Sequence, residues 1–267
     1  MSINRNITEQ IGTNFSYSYR IRRPSYNSLN AFQEFLDPLS AEEGNPNLRP
    51  AYTDNYQFNL TYEGQPFFTI GYSSTNNAII DLVKQDNTTA QIRQQAVNVE
   101  NFTNWNFRLF GPLDFIERLE GYTGFIVNRN SYNSINHGID LSKWNILWYT
   151  QANYNLPWDI DFELNGYYGS GALEGQLEID WLAELYFSFG KKLMEDKLKV
   201  NLGFNKMLNR GTNGMVDYGN GNAFFESNGS RQNIQLRVTY SFGSEFGRKK
   251  SKRNTSTDEE DRIDDDY

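Results

Sequence analysis

The chain has 267 residues, one histidine and no cysteine, which excludes a disulfide-held module, thiolate metal sites and cysteine nucleophiles. Hydrophobic residues make up 38 % and mean hydropathy is −0.70; no stretch nears the ~20 consecutive apolar residues of a membrane helix, so a helical membrane protein is excluded. The net charge of −8 resides mainly in the final ten residues, where Asp258, Glu259, Glu260, Asp261, Asp264, Asp265 and Asp266 fall, and so describes a tail.

Before that tail the sequence alternates apolar and polar residues with the period of two that places side chains on opposite faces of a strand. The first predicted strand, near 12–22, sets Phe15, Tyr17, Tyr19 and Ile21 against Ser16, Ser18 and Arg20. Residues 23–50 carry Pro24, Pro38, Pro46 and Pro50 and read as a long connection. Strands near 51–62 and 66–85 follow, joined by a tight turn at Glu63-Gly64-Gln65-Pro66. A fourth, near 91–110, alternates Val97, Val99, Trp105, Phe107 and Leu109 with Asn98, Glu100, Asn104, Asn106 and Arg108.

A fifth strand is placed at 117–130, interrupted by Gly121, and a polar loop at 131–141. The sixth (142–156) carries Trp144, Ile146 and Trp148, and the seventh (159–170) alternates Ile160, Phe162 and Leu164 with Asp159, Asp161 and Glu163. The eighth (177–190) is read as one strand through Leu177, Ile179, Trp181, Leu185, Phe187 and Phe189. A turn at 190–196, a ninth strand at 197–208 and a Gly/Asn-rich loop at 209–229 lead to the last. That final strand, 230–242, alternates Ile234, Leu236, Val238, Tyr240 and Phe242 with Asn233, Gln235, Arg237, Thr239 and Ser241.

Long alternating strands with many aromatics, joined by short links after strands two, four, six and eight and long links after one, five and nine, predict an all-β fold. The specific expectation is a transmembrane antiparallel up-and-down β-barrel of about ten strands spanning residues 1–242. A barrel also reconciles low hydropathy with an aromatic content of 15 %, since half of each strand faces a polar lumen. Residues 243–267, with the basic run Arg248–Arg253 before the acidic one, are expected to form a disordered, charged periplasmic tail near lipid phosphates or solvent, with no nucleic-acid role. Residues 1–10 hold no apolar signal-peptide core, so the chain is expected to be a fragment of a longer exported precursor.

Enzyme chemistry finds little support. With one His137 in a turn-like context and no cysteine, most nucleophile–base pairs cannot be assembled. No hydrolase, phosphate-loop or zinc-protease motif occurs, so no catalytic residue, metal ligand or cofactor is assigned. Asp159, Asp161 and Glu163 share a strand face and read as a hydrated lumen wall in preference to a cation site.

The segment Gly44-Asn45-Pro46-Asn47-Leu48-Arg49-Pro50 is a rigid lead-in to the second strand. It resembles the Asn-Pro-x-Leu-Lys/Arg-Pro signature of the C-terminal barrels of TonB-dependent receptors, with Arg49 for the usual Lys and Ala51 where an acid often follows. Ser18–Tyr26 with Leu29-Asn30, the turn Lys191–Leu198 and the basic tail are similar to segments of Bacteroidetes-type outer-membrane β-barrel proteins. The resemblance covers nearly the whole chain. It implies the C-terminal portion of a 22-stranded receptor barrel with a plugged lumen in the bacterial outer membrane, importing a bulky nutrient such as a metal chelate or glycan. The implied partners are outer-membrane lipid, the remaining barrel and plug, and the TonB system through parts outside this chain. The loops at 23–50, 131–141 and 209–229 would capture ligand, with Tyr26, Phe32, Phe35, Tyr132, Phe224 and Phe225 as candidate stacking residues. The alternatives are a free-standing porin-like barrel and a structural or adhesive outer-membrane protein.

Overall fold

The computed structural model describes residues 1–86, 88–210, 212–217, 221–227 and 231–242, and the charged tail expected at 243–267 lies outside them. Its elements in chain order are β1 (Ser2–Asn6), β2 (Ile11–Arg22), α1 (Tyr26–Leu29), β3 (Gln33–Asp37), β4 (Ser40–Glu43), β5 (Ala51–Tyr62), β6 (Gln65–Gln85), β7 (Ile92–Pro112), β8 (Leu119–Ser134) and β9 (Ile139–Leu156). They continue with β10 (Ile160–Gly169), β11 (Ala172–Glu174), β12 (Leu177–Ile179), β13 (Leu182–Leu193), β14 (Leu198–Asn205), β15 (Asn209–Arg210), β16 (Asn213–Asp217), β17 (Asn222–Glu226) and β18 (Asn233–Tyr240).

The strands form an up-and-down antiparallel meander in the order β1-β2-β5-β6-β7-β8-β9-β10-β13-β14-β18. The register makes the two faces of the sheet chemically distinct. One face joins Phe15, Phe58, Ile70, Phe107, Val127 and Ile146 across successive strands. Directly above this apolar row lies Tyr17, Tyr56, Tyr72, Trp105, Arg129 and Trp144, with the Arg129 guanidinium 5.8 Å from the Trp144 ring. An apolar band with an aromatic girdle is what a lipid-facing barrel wall presents.

The opposite face carries Asn14, Asn55, Gln57, Asn59, Asn104, Asn106, Asn128 and Asn130, most of which bond a neighbour in the row. Asn59 donates to Asn14 at 2.9 Å, Asn104 to Asn130 at 2.7 Å, and Asn106 to Asn128. This face is the inner one, because a second sheet packs on it. The small sheet, ordered β11-β12-β16-β17, is bound through Asn130 Nδ2 to the Leu173 carbonyl at 2.9 Å and through the Lys143–Glu178 ion pair.

Strands β6 and β7 run for 21 residues each, about twice what a membrane crossing needs. Above the girdle this hairpin kinks at Asn77, which adopts a left-handed φ of 55°. The buried core lies here, not between the lipid-facing rows: Ala78, Leu82, Val97, Val99, Tyr132, Ile139 and Leu173 pack with Ile80, Phe102 and Leu141. Since β8 pairs with β7 only up to Asn101, the upper edge of β7 is free of it. The parallel strand β4 occupies that edge, pairing Ser40–Glu43 with Ile92–Gln95.

The membrane strands match the predicted ones closely, and four differences stand out. An additional strand, β1, precedes the predicted first one. The loop expected at 131–141 shrinks to 135–138, because β8 runs to Ser134 and β9 starts at Ile139. The predicted eighth strand is two: β12 belongs to the small sheet, and β13 to the wall. The Asp180 N–H bonds the Asn213 carbonyl at 2.9 Å where the chain passes between them. The loops at 23–50 and 209–229 hold hairpins (β3/β4 and β16/β17) rather than irregular chain.

Candidate functional site

The small sheet and the tall β6/β7 hairpin enclose a cleft of about 660 Å³ at the mouth of the inner face. Its floor is made by inner-face residues of the wall, among them Thr53, Thr75, Phe102 and Tyr132; its roof by Glu174, Gly175, Gln176, Leu177 and Val216. Phe102 and Tyr132 stack with ring centroids 4.5 Å apart and planes at 23°. Arg22, Asp81 and Glu174 give the lining both signs of charge.

The roof is tied to the hairpin by one side chain. Gln176 Oε1 accepts from the Val83 N–H at 2.9 Å, and its amide donates to the Asp217 carbonyl at 3.2 Å. Gln176 therefore bridges β6 and the end of β16 across the cleft. The Lys143–Glu178 pair has side chains 31 % and 48 % exposed, so it orients the roof more than it holds it down.

The proline-flanked lead-in to β5 forms the opposite wall. Asn45 Nδ2 donates to the Ala96 carbonyl at 3.1 Å, while Asn98 accepts from the Arg49 N–H at 2.8 Å. The Asn98 amide donates to the carbonyls of Arg49 and Asn77, at 3.0 and 2.8 Å. One carboxamide thus fixes both the lead-in and the kink. Leu48 and Ala51 are buried beside it. A second cleft of about 370 Å³ adjoins the first through Ser28, Asp81 and Gln94 and is lined by Phe32, Glu34, Glu42 and Glu43.

At the rim, the Asp37 carboxylate accepts from the N–H groups of Leu39 and Ser40 at 2.7 and 2.9 Å and from the Ser40 hydroxyl. These bonds, that of the Ser40 hydroxyl first, hold its carboxyl below the ordinary carboxylate range. Asp86 is lowered in the same way by the N–H groups of Thr88 and Thr89.

Of the six aromatics singled out from the sequence, the structure brings one into the large cleft. Tyr132 is a strand residue, 6 % exposed, packed in the core below the roof. Phe32 lines the acidic neighbour cleft. Tyr26, at 93 % exposure, opens α1, and Phe35 stands exposed on β3; Phe224 and Phe225 lie on β17, the far edge of the small sheet. Phe102, Gln176 and Asn98 were missed. Phe102 sits in a strand whose alternation marks it as polar-face, and the Val83–Gln176 contact joins residues 93 positions apart, which no local pattern reports.

No curated protein matches the chain. The model of an outer membrane protein beta-barrel family matches residues 1–242, the same span whose apolar outer face and carboxamide inner face the structure displays. On both grounds the chain belongs to that family of outer-membrane β-barrels.

Proposed function

We propose that residues 1–242 form the C-terminal barrel wall and mouth of a TonB-dependent receptor in the bacterial outer membrane, one that imports a bulky nutrient such as a metal chelate or glycan. The observation that carries this reading is the pair of unfinished margins of the wall. Neither β1 nor β18 has a partner on its outer edge among the described residues. Every described position of β18 is exposed, on both faces. An open edge of N–H and C=O groups in lipid costs several kcal/mol per unsatisfied group, which supports a wall continued by further strands outside these residues. A larger barrel leaves room in its lumen for a plug and for a bulky ligand, and the cleft at the mouth has the dimensions of a small-ligand site.

Energised import and passive diffusion separate cleanly in whole cells. Uptake of a fluorescent ferric chelate or labelled oligosaccharide that requires the complete protein should stop when a protonophore collapses the inner-membrane gradient. Uptake that persists under the protonophore would mark a porin-like channel, and a null mutant with unchanged uptake would mark a structural or adhesive barrel.

A further inference from the structure

The inner wall carries a band of aromatic rings that the mouth cleft does not use. The register aligns Phe110 of β7, Gly124 of β8, Tyr149 of β9, Tyr167 of β10 and Glu184 of β13 in one rung. The next rung adds Tyr122 of β8 and Tyr186 of β13, separated by Gln151 and Asn165. Five consecutive strands therefore each contribute one aromatic to the polar face. Lipid cannot account for them, since they lie opposite the lipid-facing rows.

Three of the rings form a platform. Phe110, Tyr122 and Tyr149 have mutual centroid distances of 6.2, 5.9 and 6.5 Å. Gly124 makes the platform possible: a Cβ there would fall 2.4 Å from the Phe110 ring and 2.8 Å from that of Tyr149. The rings, inclined to one another by 27–45°, close over the space a side chain would fill. Tyr122 and Tyr167 remain exposed, and the Tyr167 hydroxyl donates to Glu184 at 3.4 Å.

One rung further toward the tight turns, Glu120 pairs with Asn153 and Asn153 with Glu163, opening a cleft of about 420 Å³. Its inner-face lining holds three acids (Glu120, Asp161, Glu163) and two lysines (Lys192, Lys199), together with Asn153, Asn155, Ser188 and Asn201. The small excess of acid gives no net attraction for an anionic metal chelate. Carboxylates, carboxamides and a hydroxyl offer many acceptors and donors, and flat rings beside them offer an apolar face. A ligand with apolar ring faces and a hydroxyl-rich rim satisfies both surfaces.

We infer that this inner-wall band is a second binding station, below the mouth cleft, for a neutral oligosaccharide. Sugar rings stack on Phe110, Tyr122 and Tyr149, and their hydroxyls reach Glu120, Asn153 and Glu163. The inference rests on the importer reading for why a ligand would be on this path, but its binding test does not depend on energy coupling.

The test uses the complete protein purified in detergent, titrated calorimetrically with maltohexaose, cellohexaose, xylohexaose and mannohexaose, and with ferric citrate as the anionic control. At least one neutral hexaose should bind. Tyr122→Ala and Tyr149→Ala should each weaken that binding tenfold or more, while Tyr122→Phe and Tyr149→Phe, which keep the rings, should retain it. Gly124→Ala should weaken it by displacing the platform with all rings present, and circular dichroism of each variant verifies that the barrel is formed. Binding of ferric citrate alone, no hexaose binding, or hexaose binding indifferent to the alanine variants would overturn the inference. Ring-dependent hexaose binding in a protein whose uptake ignores a protonophore would sustain the station and refute the energised importer.

Discussion

Asn98 shows how much of the mouth hangs on a single side chain. Its carboxamide meets the lead-in at Arg49 twice and the kink at Asn77 once. Replacing it with alanine removes two exposed bonds to Arg49 and one part-buried bond to Asn77, at roughly 1 kcal/mol. Asn98→Ala should therefore lower stability by about that amount and speed hydrogen exchange at the Arg49 amide, while exchange in the lower halves of the strands stays unchanged. Asp37 makes a pH-dependent contribution at the rim. Its carboxyl is lowered in the folded chain, so the stabilisation is fully present above the unfolded value of about 3.9 and is lost as pH falls through the lower folded value. The β3/β4 hairpin should keep its exchange protection from neutral pH down to about pH 4 and lose it below. Asp37→Asn should loosen it at neutral pH and abolish this pH dependence.

At the scale of elements, the alternation of period two carried nearly all that was legible in advance. β5 was placed to the residue, and the wall strands from β2 to β10 to within a few, because each has one apolar and one polar face throughout. What alternation cannot register is a change of sheet that preserves parity. Leu177, Ile179 and Trp181 fall in phase with Leu185, Phe187 and Phe189, so the break between β12 and β13 leaves no trace in the pattern. The mouth stayed hidden for a related reason: its cleft is assembled from segments remote in sequence, joined through Gln176 and Asn98. The two-faced wall yields a direct prediction. Ile70 sits in the apolar row and Ser73 on the inner face of the same strand. Ile70→Lys should cost about 2–4 kcal/mol in refolding into lipid vesicles, and Ser73→Lys, facing the lumen, well under 1 kcal/mol on the same reasoning.

For the whole molecule the decisive feature is the pair of open margins. A sheet of eleven strands in series curls into either a small closed barrel or an arc of a larger one, and the two differ in the separation of β1 and β18. In a closed small barrel those strands are neighbours, about 5 Å apart. As part of a wall of 22 strands they stand across the lumen, on the order of 30 Å or more apart. Since this chain holds no cysteine, two spin labels can be placed in it at Asn4→Cys on β1 and Arg237→Cys on β18, with any cysteine elsewhere in the complete protein replaced by serine. Double electron–electron resonance on the complete protein in outer-membrane vesicles should give a distribution centred near or beyond 30 Å. A distribution confined below about 15 Å would mean that β1 and β18 pair directly, and would contradict the larger barrel on which the proposed function rests.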